Sequence, residues 1–364
     1  MRARHYLDPR ARLASCAAGR ARAGADNGAM SVVRVEPWGN GELTLLGARV
    51  PSAPQRGRGV LRPEARAGLQ REPPSVAPES ARYLESPGGE LYSVTHAALR
   101  ARRGVVLLCG PFGIERERAY LTLVQWARLL AAQGFEVLRF DYRGTGESSG
   151  DFESMTLARW LEDVSFCAGR LRAAHPGEVL VLQGVRLGAL LAAELFRASV
   201  GDALLLWAPP DSAEELLRET LRHDLVAQRL AKLDRAPRLR AELARALADG
   251  KSVSVDGYFW SPALWSEACR HPLCVPAPDE PRPWTALATA AGSEALLARG
   301  LAGHLERVEA DTFWSSSSPL LVPESTRFFT ASLAWLDAHV PRAGADELAP
   351  TAPSLAALPC TART

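Results

Sequence analysis

No stretch of the 364-residue sequence keeps up an apolar run of the ~20 residues that a membrane-spanning helix needs. An excess of one charge is missing too: 43 Lys and Arg against 41 Asp and Glu leave +2. Nothing therefore argues for nucleic acid or an anionic membrane as the main partner. A disulfide or metal framework is absent from the pattern, because the six cysteines lie scattered at Cys16, Cys109, Cys167, Cys269, Cys274 and Cys360. Cys109 and Cys167 sit in apolar element patterns, as buried thiols do. Cys269-Arg270-His271-Pro272-Leu273-Cys274 brings three ligand types together, but a zinc site needs a fourth and better spacing. No metal and no cofactor is expected, and no internal repeat is found. What these absences leave is a soluble, cytoplasmic protein of a reducing compartment. Its 47% apolar content is enough for a sizeable core.

The two ends are compositionally distinct from the middle. Residues 1–80 are rich in Arg, Ala, Gly and Pro and have little periodicity. An Arg-rich, acid-poor start has the composition of an organelle transit peptide, but it lacks the apolar region of a secretory signal. The expectation is a disordered or misassigned N-terminal extension, with Met30 as an alternative start. Residues 342–364 are Pro-, Ala- and Thr-rich and read as a disordered tail. The folded domain is expected over 81–341.

Within that domain, Ala81–Glu85 and Glu90–Thr95 flank Ser86-Pro87-Gly88-Gly89 and read as a β-hairpin. Gly104–Cys109, Phe135–Asp141, Glu178–Gln183 and Ala203–Pro209 are short apolar runs of the kind found in strands covered on both faces. Helical patterns from about Arg118 to Gln133 and from Thr156 to Ala174 separate them. This alternation predicts a mostly parallel central sheet flanked by helices. From Ser212 to about Asp249 the pattern turns helical and charged, and a helical lid insertion is expected over about 211–282. Pro283–Thr289 and His304–Ala310 are the candidate last strands, and Pro323–His339 a closing amphipathic helix.

One motif stands out. Val179–Gln183 reads as a buried strand, Gly184-Val185-Arg186-Leu187-Gly188 as a sharp turn, and Ala189–Ala193 as the start of a helix. That is the shape of a Gly-x-Ser-x-Gly nucleophile elbow with arginine in the serine's place. Asp141-Tyr142-Arg143-Gly144-Thr145-Gly146-Glu147-Ser148 and the Gly110-Pro111-Phe112 loop accompany it. On these three features the chain resembles the α/β-hydrolase superfamily over about Ala81 to Val340. It is similar in particular to the exosortase A system-associated hydrolases, type 2, at Gly184–Ala193 with the arginine included. That similarity extends to Ser148–Phe152, Leu204–Trp207 and Gly257-Tyr258-x-x-Ser261-Pro262. The long N-terminal stretch departs from that group. The resemblance implies an α/β-hydrolase fold, and a link to bacterial exopolysaccharide or protein-sorting systems that no residue here shows.

The superfamily triad runs nucleophile, acid, histidine. A guanidinium is always protonated and cannot attack a carbonyl. The loop after the last strand, Glu309–Trp314, holds no histidine; His304 comes too early and His339 lies in the closing helix. Asp211 is a candidate acid, and Ser293-Glu294 a weaker one. An oxyanion hole would use the N–H groups of Leu187 and Phe112, since Pro111 cannot donate. A cation at a helix N-terminus is disfavoured by the dipole, so Arg186 needs acidic partners: Glu115 and Glu117 first, Asp211 next. Three readings stay open. Arg186 with the oxyanion groups would hold a small anionic or acyl ligand in a pseudoenzyme. Glu115 or Asp211 would activate water in an unconventional ester or amide hydrolase, with Arg186 stabilising the oxyanion. An Arg186–Glu115 pair would simply fill the old site. A scaffold role for the helical insertion is the alternative outside enzyme chemistry, and no oligomeric state follows from the sequence. Arg143, Gly144 and Gly146 read as turn formers. Ser148 and Ser315–Ser318 follow no elbow, and Cys109 reads as an inert thiol.

Overall fold

Alternation along each strand sets the architecture. In β3 (Gly104–Cys109), Leu107 joins one hydrophobic cluster while its neighbours Val106 and Leu108 join another on the opposite face. The same split recurs in β5 (Leu180–Val185), where Leu180 and Leu182 face one way and Val181 and Val185 the other. Two apolar faces require two helical layers, and the chain supplies them. The computed structural model describes residues 78–230, 240–277, 279–310, 312–315 and 326–340. The extension expected over 1–80, save its last three residues, and the tail expected over 342–364 lie outside them, as do Ser316, Ser317 and Ser318.

The main sheet has eight strands in the order β1-β2-β4-β3-β5-β6-β9-β10. A hairpin, β1 (Glu79–Ser86) and β2 (Gly89–His96), forms the antiparallel edge. β4 (Phe135–Phe140), β6 (Ala203–Trp207), β9 (Trp284–Ala288) and β10 (Leu305–Arg307) run parallel to β3 and β5. One face is covered by α1 (Gly113–Ala132) and α8 (Thr326–His339). The other carries α2 (Leu157–Ala174) and α3 (Leu187–Arg197). The expected mostly parallel sheet flanked by helices is what the chain forms.

Between β6 and β9 lie α4 (Ala213–Leu230), α5 (Arg240–Ala248), the small hairpin β7 (Val253–Val255) and β8 (Tyr258–Trp260), and α6 (Pro262–Ala268). Leu216, Leu217, Leu221, Leu243, Leu247, Val253, Trp260 and Leu264 tie this segment into the α2/α3 core. A short helix α7 (Ala290–Ala298) follows β9.

Several boundaries differ from the sequence reading. α1 starts at Gly113 rather than near Arg118, because its first turn, Glu115-Arg116-Glu117-Arg118, is too polar to display an apolar stripe. β5 runs two residues later than expected, to Val185. The last strand shrinks to Leu305–Arg307. The β7–β8 hairpin and helices α6 and α7 had no periodic signal, each being short. Among the described residues no helix is long and apolar enough to cross a membrane.

Candidate active site

Register places the site. Cys109 of β3 pairs with Gly184 of β5, so the chain leaves both strands side by side at their carboxyl ends. From β3 it passes through Gly110-Pro111-Phe112 into α1; from β5 it turns through Arg186 into α3. The Arg186 N–H continues the ladder by donating to the Trp207 carbonyl at 3.0 Å. The turn is too tight for side chains at its glycines. A Cβ on Gly188 would stand 2.5 Å from the Gly110 carbonyl oxygen and closer still to that of Cys109. A Cβ on Gly184 would meet Ala189 N at 2.6 Å. Arg186 itself is held at φ 54° and ψ −115°, a region that costs a non-glycine residue ~1–3 kcal/mol. The strand–turn–helix elbow is formed with Arg186 at its apex.

The Arg186 side chain is enclosed rather than displayed, with 9% of it exposed. Its Nε donates to Glu115 Oε1 at 3.1 Å and Oε2 at 3.3 Å. Its Nη2 donates to Glu219 Oε2 at 2.5 Å. The Trp314 ring centroid lies 5.6 Å from the guanidinium carbon, within cation–π range. Four segments thus converge on one guanidinium: the elbow, the first turn of α1, the second turn of α4 and the loop after β10. Glu115 is buried, and burial pushes its carboxyl above the ordinary range although Arg186 opposes the shift. Burial also works against the Arg186 charge, but the two carboxylates outweigh it and hold the guanidinium above its ordinary value.

Phe112 caps α1, and Leu187 opens α3; both are 1% exposed. Neither N–H meets a backbone acceptor outside its own helix among the described residues. The Phe112 ring packs at 5.8 Å from Trp160 and 5.9 Å from Trp260.

The other sequence candidates go elsewhere. Glu117 accepts from the Tyr258 hydroxyl at 2.7 Å. Asp211 is not among the partners of Arg186: its carbonyl accepts from Arg299 at 2.8 Å and from the Leu273 N–H at 2.9 Å. Position beside β6 put it in contention; α4 turns its later residue Glu219 onto the arginine instead. Ser293 is buried and bonded to the Ala290 carbonyl. His304 stacks on Trp284 at 4.0 Å and donates to its carbonyl, and His339 bonds to the Trp335 carbonyl. Ser148 donates to the Asp141 carbonyl and accepts from the Tyr92 N–H, stitching its loop to β2. Arg143 forms a buried pair with Asp163 at 2.5 Å. Burial pushes the Cys109 thiol up, away from reactivity. Among the described residues no three His, Cys, Asp or Glu side chains gather to hold a metal ion.

Sequence reasoning missed Glu219 and Trp314. Glu219 is one of several acidic residues on α4, and nothing in its spacing singles it out. Trp314 sits in the loop where a histidine was sought; the aromatic ring there is a cation partner that the search for imidazole passed over.

A family model described as serine aminopeptidase, S33, matches residues 101–253. No curated protein matches the chain. Among solved structures, DcsB in complex with its substrate analogue is similar at TM-score 0.50 and 11% identity, covering 73% of this chain and all of that one. The α/β hydrolase GrgF from Penicillium is similar at 0.49 and 16%, covering 72% and 99%. The proline iminopeptidase-related protein from Thermus thermophilus gives 0.46 and 21%, again covering 72% and 99%. The sheet order and the strand–turn–helix elbow between β5 and α3 give this chain the α/β-hydrolase fold, and its residues 101–253 are similar to that family model.

Proposed function

We propose that this protein is a pseudoenzyme of the α/β-hydrolase fold, one that does not carry out serine-type acyl transfer. The observation that carries the proposal is the Glu115–Arg186–Glu219 cluster on the nucleophile position. A group that must attack a carbonyl needs a lone pair and access, and Arg186 has neither. A base that must activate water needs a free oxygen, yet both oxygens of Glu115 accept from Arg186 Nε. This weighs against the water-activating alternative.

The cluster also sets terms for a ligand. Two carboxylates already match the guanidinium, so a small carboxylate or phosphate would reach Arg186 only by displacing Glu219, whose side chain is 32% exposed. The cluster therefore supports a fixed clasp more directly than an open anion pocket: α4, and with it the segment proposed as a lid, is held over the elbow by its ion pair. The arginine-bearing motif Gly184–Ala193 supports the finer placement beside exosortase-associated hydrolases.

Turnover of a panel of activated esters by the purified protein, beside Arg186→Ala, tests the reading. No turnover in either is expected. Turnover that vanishes both in Arg186→Ala and in Glu115→Gln would overturn it in favour of a hydrolase working without serine.

A further inference from the structure

A second place on the molecule has the make-up of a ligand site, and it is independent of what Arg186 does. Helix α1 meets the β1–β2 edge through Arg128, which donates to Glu79 of β1, and a cleft lies open farther along that edge. Tyr83 and Tyr92, directly opposite each other on those strands, project there with ring centroids 5.6 Å apart, edge to face. Tyr120 of α1 faces them across a cleft of about 580 Å³, within the usual size of a small-molecule site. Two of these rings stay open to solvent, Tyr83 at 48% and Tyr120 at 43%, although large aromatic surface is costly to leave wet.

The charges around the rings are unequal. Arg116 is committed to Asp141 through two bonds, at 3.1 and 2.7 Å. Gly146, at φ 53°, leaves no room beside that pair for a Cβ. Arg116 and Asp141 therefore cancel, and the lining retains Glu117 and Glu147. Glu117 is fixed by the Tyr258 hydroxyl. The Glu147 side chain is exposed and makes no ion pair among the described residues. Arg139 stands 5.5 Å from the Tyr120 ring centroid, so this ring already receives one cation. It lines a narrower adjoining cavity that runs past Gly110 and Pro111.

We propose that this cleft binds an organic cation, an alkylammonium group seated against the tyrosine rings with Glu147 and Glu117 as counter-charges. Aromatic faces attract a cation through their quadrupole, and a weakly hydrated alkylammonium loses little on leaving water. Neither a neutral apolar ligand nor an anion uses both features of the lining.

The test is calorimetric titration of the full chain with choline and, separately, with its neutral isostere 3,3-dimethylbutan-1-ol. Choline is expected to bind at least about tenfold more tightly than the alcohol. Tyr120→Ala and Glu147→Gln should each weaken choline by about fivefold or more, and Tyr120→Phe should leave it nearly unchanged. Both positions are solvent-exposed, so the variants should keep the wild-type melting temperature, which is measured alongside. Equal binding of choline and the alcohol would overturn the proposal, leaving an unselective apolar cleft. So would no binding of choline, or choline binding that all three variants leave intact.

Discussion

Replacing Arg186 by alanine leaves Glu115, with 6% of its side chain exposed, buried against a missing partner. Breaking a buried pair from one side costs ~3–5 kcal/mol, because the remaining charge is stranded. Loss of the Trp314 contact adds ~1 kcal/mol or less. The backbone strain at φ 54° stays, since alanine has a Cβ as well. Arg186→Gly removes that strain while losing the same ion pair, so it should be the milder variant by ~1 kcal/mol. The cost must also depend on pH. Glu115 is held above its ordinary 4.5 by burial even with the arginine present. A carboxyl whose folded value is raised keeps its proton longer when folded, so stability falls as pH rises from 4.5 toward the folded value. Without Arg186 the folded value rises further and that window widens. Urea unfolding of wild type and both variants at pH 5 and pH 8 measures this. The loss should be larger at pH 8, and Glu115→Gln combined with Arg186→Met should recover much of it. A loss below ~1 kcal/mol at pH 8, or one that does not change with pH, would refute the reasoning.

Three further outcomes are expected. Glu219→Gln removes the more exposed partner and should cost only ~1 kcal/mol, but amide exchange in α4 should quicken more than in α3. Gly188→Ala forces a Cβ into the carbonyl oxygens of Cys109 and Gly110, and should destabilise by ~3 kcal/mol or more in thermal melts, since backbone on both sides must shift. His96 is buried, with Arg139 donating to its Nε2 at 3.0 Å. Burial, and then the Arg139 charge, holds it down at about 4. A base with a depressed folded value stabilises fully above its ordinary 6.5 and loses that stability as pH falls from 6.5 toward 4. His96→Gln should flatten the acid limb of the stability curve in that interval.

Much of the fold was legible in the sequence because its signals are local. Short apolar runs bounded by Gly and Pro mark β3, β4, β5 and β6, and Gly184 and Gly188 mark a turn that admits no Cβ. The arginine at the apex of the elbow was equally plain. Partners across the site were less so. Glu115 could be named because the loop after β3 returns to the elbow in this topology. Asp211 had the same topological claim, but its carbonyl faces Arg299 and Leu273 instead.

Composition and local pattern by themselves determined a mostly parallel sheet flanked by helices and a strand–turn–helix elbow with an arginine at its apex, since each depends on residues adjacent in the chain. Only the tertiary structure decided that Glu219 and Trp314 close around Arg186, and that Tyr83, Tyr92 and Tyr120 face one cleft. Those contacts join residues up to 128 positions apart, and their geometry follows from how α4, the last loop and the edge hairpin pack, which no local preference encodes.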